Sequence, residues 1–195
     1  MSDVEKNVQI ISKIIEARIT SDRKQSIVNM LQGDLGSLYF TAPASSREEY
    51  HLCEPGGLAE HSINVYKNLL QFDSTFKLNL NQESMAITAL FHDIGKACSS
   101  NLKEPHYIPE TEQWKLKKGM KYGFNNNSIY MPNHVRSIFV IQSAGIKLNA
   151  DEFTAILLND GQYLLENKPY ALKECPLALY IHMADRIALE QEKKK

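Results

Sequence analysis

The sequence has few cysteines and almost no net charge. Its three cysteines, Cys53, Cys98 and Cys175, are odd in number and lack short-range pairing, which argues against a disulfide framework and favours reduced thiols. The formal net charge is -1 at pH 7. The chain therefore lacks the overall positive charge that would attract it to nucleic acid or to a membrane surface.

Long apolar runs are also missing. No segment reaches the roughly 20 apolar residues of a membrane span, and residues 1–13 lack the apolar centre of a signal peptide. No repeat, low-complexity tract or Pro/Gly linker divides the chain. Hydrophobic residues make up 43% and charged residues 23%, as in an ordinary globular protein, so we expect a cytoplasmic protein with one sizeable core.

Apolar residues recur mostly at helical spacing, and this predicts an all-α helical bundle. Helices are predicted around 8–19, 21–32, 57–69, 83–97, 134–144, 151–158 and 176–190, and Gly33 and Gly36 are predicted to end the second of them. Residues 38–52 are predicted to be mostly loop, and 101–130 a long polar and aromatic excursion with a short hairpin around 114–122. We expect residues 1–40 to form N-terminal helices that pack on the core or make a homodimer contact, and 41–190 to form the main domain.

Four polar side chains fall in apolar helical surroundings: His61, His92, Asp93 and Asp185. Each alone has an ordinary explanation, because a lone buried histidine is usually hydrogen-bonded and a lone aspartate can pair with an arginine. Together they favour one shared divalent cation. Imidazoles with carboxylates suit Mn, Fe, Co, Ni or Zn, and Mg less well. Positions left open on such an ion would admit a water whose pKa the ion lowers.

The ordered motifs GGLAEHS, HDIGK and MADRIA resemble the HD-domain superfamily of metal-dependent phosphohydrolases, over roughly residues 41–189. The resemblance implies a helical HD domain in which His61, His92, Asp93 and Asp185 hold the metal. The stretch TAPAS and the later His51 are similar to the branch containing bacterial 3′–5′ exoribonucleases and small HD proteins of bacteriophages and their hosts. This implies a location in the cytoplasm of a bacterial or phage-infected cell.

The chain departs from that branch at its later histidines. His134 is interpreted as retained, with Arg136 keeping a positive charge, whereas Asn159 stands where the relatives carry another histidine. We therefore expect one firmly bound ion, with a second ion weak or absent. Whether Asp160 compensates is left open.

Other side chains are candidates for binding a substrate. Lys96 gives HD-x-x-K rather than the HD-x-x-E of related nucleotidases, so it either contacts a phosphate or serves the helix dipole. His51 and Arg47 either line the pocket or lie on the surface. Aromatic and histidine side chains of the excursion either stack on a base or pack the excursion against the bundle, and packing is favoured: His106, Trp114, Tyr122 and Tyr130.

The leading hypothesis is a metal-dependent phosphohydrolase that acts on a small phosphorylated substrate, a nucleotide or related phosphoester. Asp93 would also orient the attacking water or take its proton, and Lys96, His134 and Arg136 would neutralise charge on the phosphoryl oxygens. The chain shows no basic stripe, so a long nucleic acid is not favoured. The alternatives are a 3′–5′ exonuclease or cyclic-nucleotide phosphodiesterase, and a degenerate HD domain that binds a nucleotide or protein without catalysis.

Overall fold

The computed structural model describes residues 3–162 and 164–193, which fold mainly into helices and confirm the all-α class. The described α-helices are α1 (Asp3–Arg18), α2 (Arg23–Gln32), α3 (Asp34–Thr41), α4 (Gly57–Phe76), α5 (Gln82–Phe91), α6 (Gln113–Leu116), α7 (Asn133–Ser143), α8 (Ala150–Leu157) and α9 (Pro176–Glu192). Short 3₁₀ turns cover Ile94–Lys96 and Leu165–Tyr170, and strands β1 (Tyr107–Pro109) and β2 (Tyr122–Phe124) pair antiparallel. None of the described helices has the length and apolar character needed to cross a bilayer.

Helix α4 lies between α5 and α9 and packs against both. Its predicted apolar stripe, Leu58, Val65 and Leu69, is fully buried. In α5 the residues from Glu83 to Phe91 are all buried, so this helix runs through the interior. The end of α5 consequently delivers the following histidine and aspartate, His92 and Asp93, into the core rather than to the surface.

The N-terminal helices share the core of the main bundle. Ile11, Ile15 and Ile27 belong to the same apolar cluster as the buried residues of α4 and α5. Helix α1 contacts α3, α4 and α5. Residues 3–40 are thus packed on the core.

Two helix boundaries differ from the sequence prediction. Helix α3 runs through Gly36, which was predicted to end a helix, and occupies the start of the predicted loop at 38–52. A Cβ on Gly36 would lie 2.0 Å from the Leu31 carbonyl oxygen, so this glycine permits a close approach. The predicted helix 83–97 ends at Phe91, because Asp93 leaves the helical region at φ −108° and ψ 9°.

The excursion at 101–130 contains a hairpin that is wider than predicted. Its strands are β1 and β2, and the short helix α6 lies between them, so the hairpin predicted around 114–122 is wrong in extent. The Glu48 N–H donates to the Gly119 carbonyl at 2.9 Å, which ties the excursion to the chain before α4. Trp114 is 53% exposed and Tyr130 88% exposed, so the packing predicted for these two side chains is wrong. His106 is buried.

Candidate metal centre

Two imidazoles face each other inside the bundle, and their outer nitrogens are already engaged. His61 in α4 and His92 after α5 are both fully buried, with ring centroids 5.5 Å apart. Nδ1 of His61 lies 2.9 Å from Oε2 of Glu192, and Nδ1 of His92 lies 3.0 Å from the Ala89 carbonyl oxygen. Because an acceptor faces each Nδ1, that nitrogen carries the proton. Each Nε2 lone pair is then directed inward, as in histidines that bind metals.

Two carboxylates complete the cluster. Oδ1 of Asp185 lies 3.0 Å from Nε2 of His61 and 3.9 Å from Nε2 of His92. Oδ2 of Asp93 lies 3.9 Å and 3.7 Å from the same two nitrogens. Donors that each lie about 2.1 Å from a common ion are separated by about 3–4 Å. We call these four side chains the metal cluster, and their spacing suits one divalent cation.

The lack of hydrogen-bond partners for the two inward nitrogens also indicates a cation site. Nε2 of His61 and Nε2 of His92 are buried, and neither has a hydrogen-bond partner among the described residues. The 3.0 Å approach of Asp185 to His61 is a charge contact without hydrogen-bond alignment. Buried polar atoms in native proteins are rarely left unpaired. A cation between these atoms would satisfy both nitrogens, so the buried His/Asp group could hold a metal ion.

The electrostatics of the metal cluster favour a positive charge at its centre. Burial raises the pKa of Asp93, but Lys96 and the two imidazoles outweigh it, so the pKa of Asp93 falls below its usual value. Burial lowers the pKa of His61, whereas Asp185 and Glu192 together raise it to about 9. The carboxylates are therefore ionised. The same negative field that favours a second proton on Nε2 of His61 in the metal-free protein would favour a metal cation in place of that proton.

The HDIGK motif is explained by what surrounds Asp93. Nζ of Lys96 lies 2.6 Å from Oδ2 of Asp93, and Nδ2 of Asn133 donates to Oδ1. The Gly95 N–H donates to Oγ of Ser137 in α7 at 2.9 Å. A Cβ on Gly95 would lie 2.7 Å from the Asn133 carbonyl oxygen, so only glycine lets α7 approach this closely.

Asn133 and Glu192 are contacts that sequence reasoning missed. The sequence prediction chose His134, whose Nδ1 instead lies 3.5 Å from Oδ2 of Asp160. No group of three or more metal-ligating side chains in the described chain includes His134 or Asp160. Glu192 follows Asp185 by seven residues, two helical turns along one face of α9, and this spacing was a usable signal.

Asn159 and His51 are both buried, and each side chain has a polar atom without a hydrogen-bond partner among the described residues. Oδ1 of Asn159 has no partner within the described residues, while its backbone carbonyl accepts from Nδ1 of His182 at 2.7 Å. The His51 ring lies 4.9 Å from the His61 ring, and its Nε2 is likewise unpaired. Burial first, then the charges of His61 and Lys96, lower the pKa of His51 to about 3. His51 is therefore a neutral imidazole beside the metal cluster, and with His61 and Glu192 it forms a second group that could hold a cation.

The predicted cationic residues separate into two environments. Lys96 and Arg136 line a cavity of about 420 Å³ next to the metal cluster, together with Asn133 and His106. Arg47 is part of the surface instead. Its side chain is 38% exposed and pairs with Glu49 at 3.2 Å.

Comparisons with protein-family models, with curated proteins and with solved structures return no match for this chain.

Proposed function

We propose that this protein is a metal-dependent phosphohydrolase of the HD type that acts on a nucleotide or related phosphoester. The observation that carries the proposal is the metal cluster, in which His61, His92, Asp93 and Asp185 converge with both Nε2 atoms unpaired. These four residues belong to the motifs whose order resembles the HD-domain superfamily. The geometry and the resemblance are independent supports for the same assignment.

The donor set indicates the kind of ion. Two imidazoles and two carboxylates suit Mn, Fe, Co, Ni or Zn better than Mg, which prefers oxygen ligands and bound water. Such an ion supplies a lowered pKa of water and polarisation of a phosphoryl oxygen. We propose one firmly held ion, because His134 and Asp160 join no ligand group among the described residues and the second group, His51, His61 and Glu192, shares His61 with the metal cluster.

The chain's own residues divide the remaining work. Asp93 is ionised and buried, and it would orient the attacking water and accept its proton. Lys96 contacts Asp93 and also lines the adjacent cavity, so its ammonium would neutralise charge on the phosphoryl oxygens. Asn133 holds the second oxygen of Asp93 and fixes the orientation of the carboxylate. The proposal does not include the predicted charge neutralisation by His134, because the described partner of its ring is Asp160.

The cavity favours a small substrate over a long nucleic acid. Its volume of about 420 Å³ lies in the usual range of small-molecule sites, about 300–1,000 Å³. The net charge of -1 gives no overall attraction to a polyanion. A nucleotide fits these properties better than the substrate of a 3′–5′ exonuclease.

The test combines metal content with turnover. The wild-type protein is measured by elemental analysis and then assayed with Mn, Co, Ni and Mg on nucleotides, cyclic nucleotides and a 3′-labelled oligonucleotide. Asp93→Asn keeps the shape of the side chain and removes its charge. Asp151→Asn, at an exposed aspartate in the first turn of α8, is the matched control.

We expect about one ion per wild-type chain and hydrolysis of a nucleotide, both retained by Asp151→Asn and lost in Asp93→Asn. Wild-type turnover in Asp93→Asn would refute the assignment. Shortening of the oligonucleotide or opening of a cyclic nucleotide alone would select the runner-up activities. A retained ion without turnover on any substrate would favour a binding protein with an HD fold.

A further inference from the structure

Arg136 is a buried guanidinium without a carboxylate partner. It is 5% exposed, and no acidic side chain in the described chain lies within ion-pair distance of it. Burial lowers the pKa of Arg136, and the groups that oppose this are Cys98, Tyr107 and Tyr130 rather than the acids of the metal cluster. A buried charge left in this condition is costly unless an anion joins it.

His106 is the described partner of Arg136, but it cannot accept from all the N–H donors of the guanidinium. Nη1 lies 3.0 Å from Nδ1 of His106, and Nη2 lies 3.1 Å from Nε2 of the same ring. A neutral imidazole has one acceptor nitrogen, so only one of these contacts can be a hydrogen bond. Nε of Arg136 is buried and has no hydrogen-bond partner in the part of the chain that the structure describes. The guanidinium thus has unused donors.

His106 is held in place from both sides by its backbone. Its N–H donates to the Ala97 carbonyl at 3.3 Å, and its carbonyl accepts from the Asn125 N–H at 2.9 Å. Burial first, then the charges of Arg136 and Lys96, lower the pKa of His106 to about 4, so the ring is neutral near pH 7. His106 therefore supports the guanidinium without neutralising it.

The cavity in front of Arg136 has the properties of an anion site with an aromatic rim. Lys96 is a second cation in its wall, and no aspartate or glutamate is among its lining residues. Phe124 and Tyr130 line the same cavity, although they are 59% and 88% exposed. Aromatic faces of this kind can stack on a planar base.

We infer that this cavity binds a second phosphate of the substrate, so that the preferred substrate is a phosphoester carrying another phosphoryl group. Lys96 contacts Asp93 of the metal cluster, whereas the side chain of Arg136 pairs only with His106 among residues 3–162 and 164–193, so the two cations serve different phosphates. The planar fork of arginine suits a phosphate with two parallel hydrogen bonds. That the bound phosphate belongs to a substrate rests on the proposed function, whereas the phosphate site itself does not.

The first measurement tests the site without any turnover. Inorganic phosphate is titrated into chelator-treated protein by calorimetry, for wild type, Arg136→Gln and Arg136→Lys. The control is Lys147→Gln, which removes one charge from an exposed lysine. We expect saturable binding that weakens at least about tenfold in Arg136→Gln, less in Arg136→Lys, and not at all in the control. One charged hydrogen bond is worth about 1.5–3 kcal/mol, which corresponds to that loss or more.

The second measurement compares adenosine 3′,5′-bisphosphate with adenosine 5′-monophosphate in the metal-loaded protein. We expect a kcat/KM preference of about tenfold or more for the bisphosphate, removed by Arg136→Gln. Absent phosphate binding, or equal binding in wild type and Arg136→Gln, overturns the inference whatever the activity. Phosphate binding that depends on Arg136, in a protein that hydrolyses neither of these nucleotides nor any member of the substrate panel, sustains the site and refutes the proposed function. Should Arg136→Gln fail to fold, the Arg136→Lys variant decides both comparisons.

Discussion

Two buried clusters of charged side chains in this molecule differ in how completely they are paired. The first, which we call the structural cluster, joins Arg23 of α2, Glu83 of α5 and Glu152 of α8. The second is the metal cluster of His61, His92, Asp93 and Asp185. Both lie where α5 meets its neighbours, yet only the structural cluster satisfies its own hydrogen-bonding groups.

In the structural cluster every carboxylate oxygen has a donor. Glu152 is fully buried and accepts from Nη1 of Arg23 at 2.7 Å, Oγ of Ser84 at 2.7 Å and the Asn149 N–H at 2.9 Å. Glu83 accepts from Nη2 and Nε of Arg23, at 2.6 and 3.0 Å, and from the backbone N–H groups of residues 20 and 21, just before α2. Such a network stabilises the fold without any ligand.

The metal cluster has the opposite property, because its two Nε2 atoms lack hydrogen-bond partners among the described residues and both carboxylates lie close to these nitrogens. Burial and, more weakly, repulsion from Asp93 act to raise the pKa of Asp185, but His61 and His92 outweigh them and lower it. Complete pairing is typical of a stabilising network, whereas incomplete pairing in the interior is typical of a binding site. The two clusters should therefore respond differently to substitution.

The largest effect is expected from Asp185→Asn. Loss of one ligand charge should release the ion and reduce turnover by roughly 10³-fold or more, because metal stabilisation is worth several kcal/mol. The free energy of unfolding of the chelator-treated protein should change by less than about 1 kcal/mol, because the lost attraction to His61 is offset by removal of the burial cost of the Asp185 charge and of its repulsion from Asp93. Elemental analysis, turnover and urea melts check both statements.

Glu190→Gln is the control for this variant, because Glu190 is an exposed carboxylate on the same helix, α9. It should behave as wild type in all three measurements. If Asp185→Asn destabilised the metal-free protein by several kcal/mol, the two clusters would be alike and the distinction would fail.

The reverse result is expected for Glu152→Ala. It leaves Arg23 without one carboxylate and strands buried donors, so the free energy of unfolding should fall by about 3–5 kcal/mol. Metal content and turnover per folded molecule should stay unchanged. Asp151→Ala, at the exposed neighbour on α8, controls for the loss of an acidic side chain in this turn. Loss of the ion in folded Glu152→Ala would contradict the comparison.

The four side chains of the metal cluster were predicted because they lie in motifs whose order resembles a known family. GGLAEHS, HDIGK and MADRIA supply His61, His92, Asp93 and Asp185, and the structure brings the four together. The all-α class followed from apolar periodicity instead. Local spacing displays helices directly, whereas the grouping of residues from distant segments came from the resemblance.

Features that depend on how two elements meet were not predictable in this way. Gly36 was predicted to end a helix, but it lies inside α3, where its missing Cβ lets the Leu31 carbonyl approach closely. On α7, Asn133 rather than the adjacent His134 contacts Asp93. One residue turns a helix by about 100°, so the packing of α7 on Gly95 decides which side chain reaches Asp93.

A smaller effect is expected from Glu192→Gln, which changes a supporting contact rather than a ligand. Glu192 lies 2.9 Å from Nδ1 of His61 through Oε2, and its Oε1 accepts from Asn64 at 2.8 Å. Outer partners of ligating histidines typically contribute 10–100-fold to metal affinity. We expect a loss in that range, measured by competition with a coloured chelator, with Glu190→Gln again as the control. Unchanged metal affinity in Glu192→Gln would mean that His61 needs no charged partner at Nδ1, just as His92 has only the Ala89 carbonyl there.

The smallest predicted effect is the pH dependence of the structural cluster. Burial raises the pKa of Glu83, but Ser21, the Thr20 N–H and Arg23 outweigh it and lower the pKa to about 2, from 4.5. A carboxyl whose folded-state pKa is depressed stabilises the protein above its unfolded value and loses this contribution as pH falls through the folded value. Between about pH 4.5 and pH 2, wild type should lose about 1–2 kcal/mol that Glu83→Gln never had. Urea melts across this range should show the two proteins converging, whereas Glu16→Gln, at an exposed acid of α1, should keep a constant difference from wild type. A pH-independent gap for Glu83→Gln would show that packing, rather than the charge of this network, stabilises the junction of α2, α5 and α8.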